Sequence, residues 1–433
     1  MTSQRAAQPV FIIGGNRIPF VKSMTSYSDL TSQQLMTTAL KGLVQRYNLA
    51  QKKIGDVAFG AVMQSSAQWN FTREVILESG LHPYTPGYNV QRACGTSLET
   101  SIQLAHKISH HQIQTAISGG VDSNSDLPLM ISTNLRTKLF KLNGAKTLTE
   151  RLKIMSSFRP SDLKPLFPAV VEPRTGLSMG QHCEKMVQEW KISREDQDLW
   201  AFESHQKAAK AQAENFFSDL ITPVNTANIS VTKDAFVRGD TSLEKLAKLK
   251  PAFDFTGKGS LTAGNSSPLT DGASTLLLAS EGGMKENGWK PLARFVDGET
   301  TALDFVGGDG LLMAPTTAVG NLLERHKLSF DDFDFIEIHE AFAGQVLCTL
   351  RAWESKDYCK KYLNIPGPLG PIAREKINVK GSSLAIGHPF GATGARILAT
   401  LAKLLSEKPK SRGLISICTG GGMGVAAILE SVD

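Results

Sequence analysis

VQRACGTSLETSIQLAHKI, residues 90–108, passes from a short apolar stretch into an amphipathic helix, with Cys94 at the join. Leu98, Ile102, Ala105 and Ile108 recur on one helical face, and Thr96 or Ser97 is placed to cap the first turn. The run AISGGVDS (116–123) follows, a strand that ends in glycines. A strand, a helix and a second strand in this order read as one α/β unit. A cysteine at a helix start meets unpaired N–H groups and the positive end of the helix dipole, which favour thiolate. A free thiol of pKa about 8.5 is only a few per cent ionised at neutral pH; a shift toward about 7 would ionise roughly half. Cys94 reads either as a nucleophile or as a small buried core thiol.

Three later segments bear on that choice. In GSSLAIGHPFGATGARILATLAKLL (381–405), His388 lies in a glycine-dense turn ahead of a helix whose Ile397, Leu401 and Leu404 share a face. A histidine held there can take a proton from a thiol, or simply satisfy hydrogen bonds of the loop. GLISICTGGGMGVAAILE (413–430) predicts a buried strand, Cys418 at its end, a glycine turn and a returning strand over 425–429. The bare N–H groups of that turn suit an oxyanion. DFDFIEIHEAFAGQVLCTLRAWE predicts a strand through Ile338, then His339 and Glu340, then a helix with Phe342, Val346, Leu350 and Trp353 on one side. Strand–helix junctions are where open α/β folds hold ligands. No cysteine or histidine pair has zinc-ligand spacing, so no metal centre is predicted.

Taken together, these blocks resemble the thiolase family along nearly the whole chain. The segment around Cys94, TAGNSSPLTDGA (262–273), HEAF (339–342), GHPFGATGAR (387–396) and CTGGGMG (418–424) stand in thiolase order and at thiolase-like separations. ISREDQDLWAFESHQKAAKA (192–211) is similar to the helical stretch of the family's loop region, and HEAF resembles the thiolase subunit of trifunctional β-oxidation complexes. Two positions depart from the pattern: Cys183, where relatives carry a small residue, and SSPLTDG, which replaces the more usual ASGxNDG. Both bear on substrate length rather than chemistry.

The resemblance implies a layered αβαβα core of two similar halves with an inserted loop domain. Its expected boundaries are 1–121 plus 251–285, 122–250 and 286–433. It also implies 3-ketoacyl-CoA thiolase activity with an acyl-Cys94 intermediate, the alternative being a biosynthetic acetoacetyl-CoA thiolase. Cys94, His388, Cys418 and His339 are the implied catalytic residues. Backbone N–H groups of Cys94 and Gly420 are the implied oxyanion donors, and Ser267, Met179 and Phe342 the substrate and CoA contacts. Coenzyme A is implied as co-substrate with no permanently bound cofactor. The implied assembly is a homodimer within a heterotetramer with an enoyl-CoA hydratase/3-hydroxyacyl-CoA dehydrogenase subunit.

Composition agrees with an enzyme of ordinary globular type: 433 residues, 41% apolar and 20% charged, enough for two or three domains. Five cysteines scattered along the chain do not form a disulfide framework and suit a reducing compartment. With no apolar run of about 18 residues and a short polar start, the expected location is cytoplasmic. The net charge of +6 is concentrated in 127–168, which holds eight basic side chains against two acidic ones, interleaved with leucines and methionines. That pattern predicts either a basic amphipathic helix for an anionic membrane surface or a partner, or a solvated loop with core-facing leucines. No nucleic-acid reader motif accompanies the charge, so nucleic acid is not an expected partner.

Overall fold

A computed structural model of the chain describes residues 6–432. Across the main sheet the strands run Phe335–Ile338, Arg412–Thr419, Met423–Glu430, Ala293–Ala302, Val10–Arg17, Thr270–Ser280, Thr115–Asp122, Asp56–Phe59 and Gly87–Asn89. Apart from the end strand Gly87–Asn89, which pairs parallel with Asp56–Phe59 and has no counterpart, the path is symmetric about its middle: from Val10–Arg17 outward the first three pairings are antiparallel, antiparallel and parallel, and from Ala293–Ala302 outward they are the same. The halves join where Val10 pairs with Phe295 and Ile12 with Ala293, antiparallel. AISGGVDS and SICTGGGMG fall on the third strand from the centre in their respective halves, so their sequence echo is an echo of position.

Side-chain alternation along the strands divides the core into layers. Leu276 and Leu278 face an inner cluster while Leu277 faces an outer one. Two helices, Thr96–Ser109 and Thr393–Ser406, fill the middle, packed on Ile12 and Leu278 from one half and on Ile415, Ile417 and Val425 from the other. One outer layer is the helix Ser32–Arg46 over Val57 and Phe59; the other packs Val319, Leu322, Val346 and Trp353 on Ile336, Leu414 and Ile428. Burying each such leucine or isoleucine contributes about 1.5–3 kcal/mol, so these three clusters hold the layers together.

Local signals explain most element starts. Thr31 and Gln34 form a capping box that begins Ser32–Arg46, and Leu35, Met36, Ala39, Leu40, Leu43 and Val44 are all buried. The capping expected for the Cys94 helix is not what forms. Its N-cap is Gly95 without a side-chain cap; Thr96 instead accepts from the Arg92 N–H and donates to the Ala93 carbonyl. Ser97 accepts from the Ala395 N–H, a bond between the two central helices. Tertiary contact has taken over the capping atoms.

Residues 123–269 leave the sheet and return to it, carrying the helices Thr133–Gly144, Leu148–Met155, Met179–Glu189 and Arg194–Ala213. A buried ion pair, Arg17 Nη1 to Asp234 Oδ1 at 2.5 Å, ties this excursion to the first strand.

Gly394 opens the second central helix against the start of the first. A Cβ there would collide with the backbone nitrogen of Leu98. Gly394→Ala should therefore push the helices apart and lower unfolding free energy by about 1–3 kcal/mol, the usual cost of overpacking, read as a reduced urea midpoint.

Candidate active site

Cys94 is carried by a tight turn. Ala93 has φ of +43°, a strained value for a residue with a Cβ, and the Gly95 and Thr96 N–H groups donate back to Arg92 and Ala93. The Thr96 hydroxyl, bonded on both sides, locks this geometry. The turn points the thiol into the space between the two halves. There the backbone N–H groups of Gly420 and of Cys94 itself favour its thiolate.

His388 enters from the loop that leads into the other central helix. Gly387, at φ +107°, supplies a bend that only glycine adopts without strain, and the His388 N–H donates to Thr270 Oγ1 at 3.0 Å. His388 Nδ1 lies 2.6 Å from Thr393 Oγ1, and that hydroxyl donates to the Pro389 carbonyl at 3.1 Å. With its single hydrogen committed, Thr393 accepts from Nδ1–H and leaves the Nε2 lone pair facing the pocket. The Phe335–Ile338 strand delivers His339 alongside, its ring centroid 4.1 Å from that of His388. Cys94, His339 and His388 bring their sulfur and ring nitrogens within 4.8 Å of one another. These three residues are distant in the chain, and they fall short of the four ligands of a closed structural zinc site.

Cys418 stands one residue before the end of the strand Arg412–Thr419 and is buried among Met313, Ala341 and Phe342. The backbone N–H groups of Ala341 and of Cys418 itself favour its thiolate, and a charge on Cys94 would raise the cost of one on Cys418. Ser267 is half-buried with its N–H on the Ala341 carbonyl, and the neighbouring Ser266 bridges Phe342. Met179 starts the helix that faces Gly420. Phe342 is buried against the edge of Phe253, with ring centroids 5.7 Å apart. Of the expected substrate contacts, Phe342 shares the cluster of Cys418 and Met179 approaches Gly420, while Ser267 is tied to the loop at Ala341. Cys183 is fully buried beside Cys348 and Cys418, part of the wall behind the site.

The electrostatics correct one expectation. Burial pushes the Cys94 thiol up to about 12; the N–H groups of Gly420 and Cys94 oppose this without reversing it. Desolvation outweighs the helix-start field, because removing a thiolate from water costs more than partial charges return. Burial, with the Arg396 cation, holds His388 down at about 3. His339 is pushed well below the usual imidazole range by burial, then by His388 and Arg396. The resting site therefore holds neutral thiols and neutral imidazoles, and a proton leaves Cys94 only as a base receives it.

Several residues beyond the expected catalytic set hold the site in place. Asp122 accepts from the Val62, Met63 and Gly391 N–H groups, clamping the histidine loop. Glu340 receives Trp200, Ser204, Asn378 and the Leu384 N–H, fixing the chain just beyond His339. Glu172, from the excursion, accepts the Gly421 N–H at 2.9 Å. Only Glu340 could have been suspected, from its place beside His339.

With desolvation pushing the Cys94 thiol up to about 12, its alkylation by iodoacetamide should keep rising by about tenfold per pH unit from 8 to 10, without the plateau of an ordinary thiol near 8.5. Mass-spectrometric quantification of the Cys94 peptide checks this.

The chain also matches known proteins over nearly its whole length. The family model described as thiolase, N-terminal domain, matches residues 10–282, and that of the thiolase, C-terminal domain, matches 289–431. A 3-ketoacyl-CoA thiolase of Photorhabdus laumondii is 38% identical over 97% of this chain and 96% of that protein. The mitochondrial trifunctional enzyme subunit beta of Mus musculus is 38% identical over 98% of this chain and 88% of its own. Among solved structures, the Bacillus anthracis acetyl-CoA acetyltransferase aligns with a TM-score of 0.82 at 30% identity, covering 99% of this chain and 100% of that one. Two family models that together span most of the chain, and relatives 38% identical over nearly all of it, show that the chain belongs to the thiolase family.

Proposed function

We propose that the protein is a 3-ketoacyl-CoA thiolase, an acyltransferase that cleaves 3-ketoacyl-CoA with CoA to acetyl-CoA and an acyl-CoA two carbons shorter. The observation that carries this reading is the convergence of Cys94, His388 and His339 within 4.8 Å, with a second thiol, Cys418, in the same pocket. The thiolase relatives support it.

His388 Nε2 takes the Cys94 proton as the sulfur attacks the C3 ketone. The resulting alkoxide is held by the N–H groups of Cys94 and Gly420. Cleavage of the C2–C3 bond leaves acyl-Cys94 and the enolate of acetyl-CoA, whose thioester oxygen faces His339 and His388. Cys418 gives its proton to C2. The thiolate so formed takes the proton of incoming CoA, whose sulfur attacks acyl-Cys94, and Cys94 recovers its proton from His388. Two thiols are needed because the first is acylated while protons still move. Neutral groups suit this cycle, since each charge appears only when a partner forms.

Coenzyme A serves as co-substrate, and no resident cofactor is required. The mouse relative is named as one subunit of a trifunctional enzyme, which supports assembly of this chain with a further subunit. In 127–168, the helices Thr133–Gly144 and Leu148–Met155 bury Leu135 alone, while Phe140 and Leu148 are more than 70% exposed among lysines and arginines. This does not fit a loop with core-facing leucines. It supports contact with an anionic membrane surface. Among the described residues no helix is long and apolar enough to cross a membrane.

A condensing acetoacetyl-CoA thiolase is the second reading, kept because the Bacillus anthracis structure carries the name acetyl-CoA acetyltransferase. Relative turnover across a series of 3-ketoacyl-CoA chain lengths separates the two: degradative use requires long-chain substrates to be cleaved at least as well as the four-carbon one.

Cys94→Ala should abolish acyl-enzyme formation. Cys418→Ala should retain acylation by a plain thioester but slow exchange of the acetyl-CoA C2 protons by about 100-fold or more. Normal exchange in that variant would remove Cys418 as the base. Phe140→Ser with Leu148→Ser should weaken co-sedimentation with phosphatidylglycerol vesicles while cleavage stays within about twofold, as expected for surface changes.

A further inference from the structure

His339 and His388 lie side by side, and each turns a buried Nε2 with no protein partner toward the pocket. A neutral imidazole has one N–H, so what Nε2 offers is decided by what holds Nδ1. For His388 the answer is Thr393, which makes Nε2 an acceptor. For His339 the partner differs.

Its Nδ1 lies 2.9 Å from Ser383 Oγ. The same oxygen receives Arg396 Nη2 at 2.7 Å. A guanidinium only donates, so it occupies a lone pair of Ser383 and cannot take its hydrogen. The hydroxyl hydrogen is left with His339 Nδ1 as its acceptor, which places the ring proton on Nε2. Arg396 is itself 1% exposed and held by Ser382 Oγ at 3.2 Å through Nη1. The acidic groups that act on it are Glu337, then Glu340 and Asp234, with burial pushing Glu337 up to about 8.

We propose that Ser383, oriented by the buried Arg396, is a positioning residue that holds His339 as the Nε2–H tautomer and so makes the two imidazoles a matched donor and acceptor. His339 then offers a hydrogen bond to the substrate oxygen while His388 accepts the Cys94 proton. Two acceptors would repel a developing oxyanion, and two donors would leave the thiol without a base. The cation behind both rings also disfavours a second proton on either. The use of the pair in turnover rests on the thiolase reading; the tautomers do not.

Full-length protein labelled with ¹⁵N-histidine tests this by long-range ¹H–¹⁵N correlation, with His339→Asn and His388→Asn used for assignment. His339 should show a protonated Nε2 and a bare Nδ1, His388 the reverse, and both patterns should persist from pH 5.5 to 8. Ser383→Ala should mix the His339 tautomers and lower kcat by about 10- to 100-fold, within the range of general acid–base effects, with KM for CoA little changed. Ser383→Thr should restore both readouts. An Nδ1-protonated or charged His339 in the wild-type protein overturns the proposal, as does a Ser383→Ala variant with unaltered tautomer and kcat. The expected tautomers in a protein unable to cleave any 3-ketoacyl-CoA would instead count against the thiolase reading.

Discussion

Gly394 meets the backbone of Leu98 where the two central helices begin, and the site exists because that contact is close. Cys94 lies four residues before Leu98, and His388 six before Gly394. Any side chain on Gly394 would separate them. The Ser97–Ala395 hydrogen bond sits at the same point, so the helix starts are bonded as well as packed. The three hydrophobic clusters press the layers around this contact and leave it little freedom to open.

Placing the reacting groups in the middle of five layers has an electrostatic consequence. Burial keeps the thiols protonated and the imidazoles neutral, against the helix-start field at Cys94. The same dryness strengthens the N–H groups of Cys94 and Gly420 toward any charge that forms. A pocket that disfavours charge at rest and holds it in transit favours concerted proton movement. Buried Asp122, pushed up to about 6 mainly by burial, carries the structural part of this arrangement, holding the histidine loop through backbone N–H groups.

The sheet's symmetry shows how one architecture divides its labour. The third strands of the halves, Thr115–Asp122 and Arg412–Thr419, occupy equivalent places. One ends in Asp122, which clamps loops; the other carries Cys418 one residue before its end, near the first thiol. The central helices differ likewise, one beginning just after a thiol and the other just after an imidazole.

Much of this was legible before any coordinates. The faces of Ser32–Arg46 and of both central helices follow from apolar spacing, and the five motif blocks name the residues that carry chemistry. The strand Thr270–Ser280 escaped periodicity because it is buried on both faces and shows no alternation. Only the tertiary structure decided the protonation states at Cys94 and His339, since desolvation and the Ser383–Arg396 contact come from segments hundreds or tens of residues away. Sequence determines which groups are available and how each helix is faced. Their distances, burial and tautomers depend on what the rest of the chain packs around them, and no local pattern encodes that.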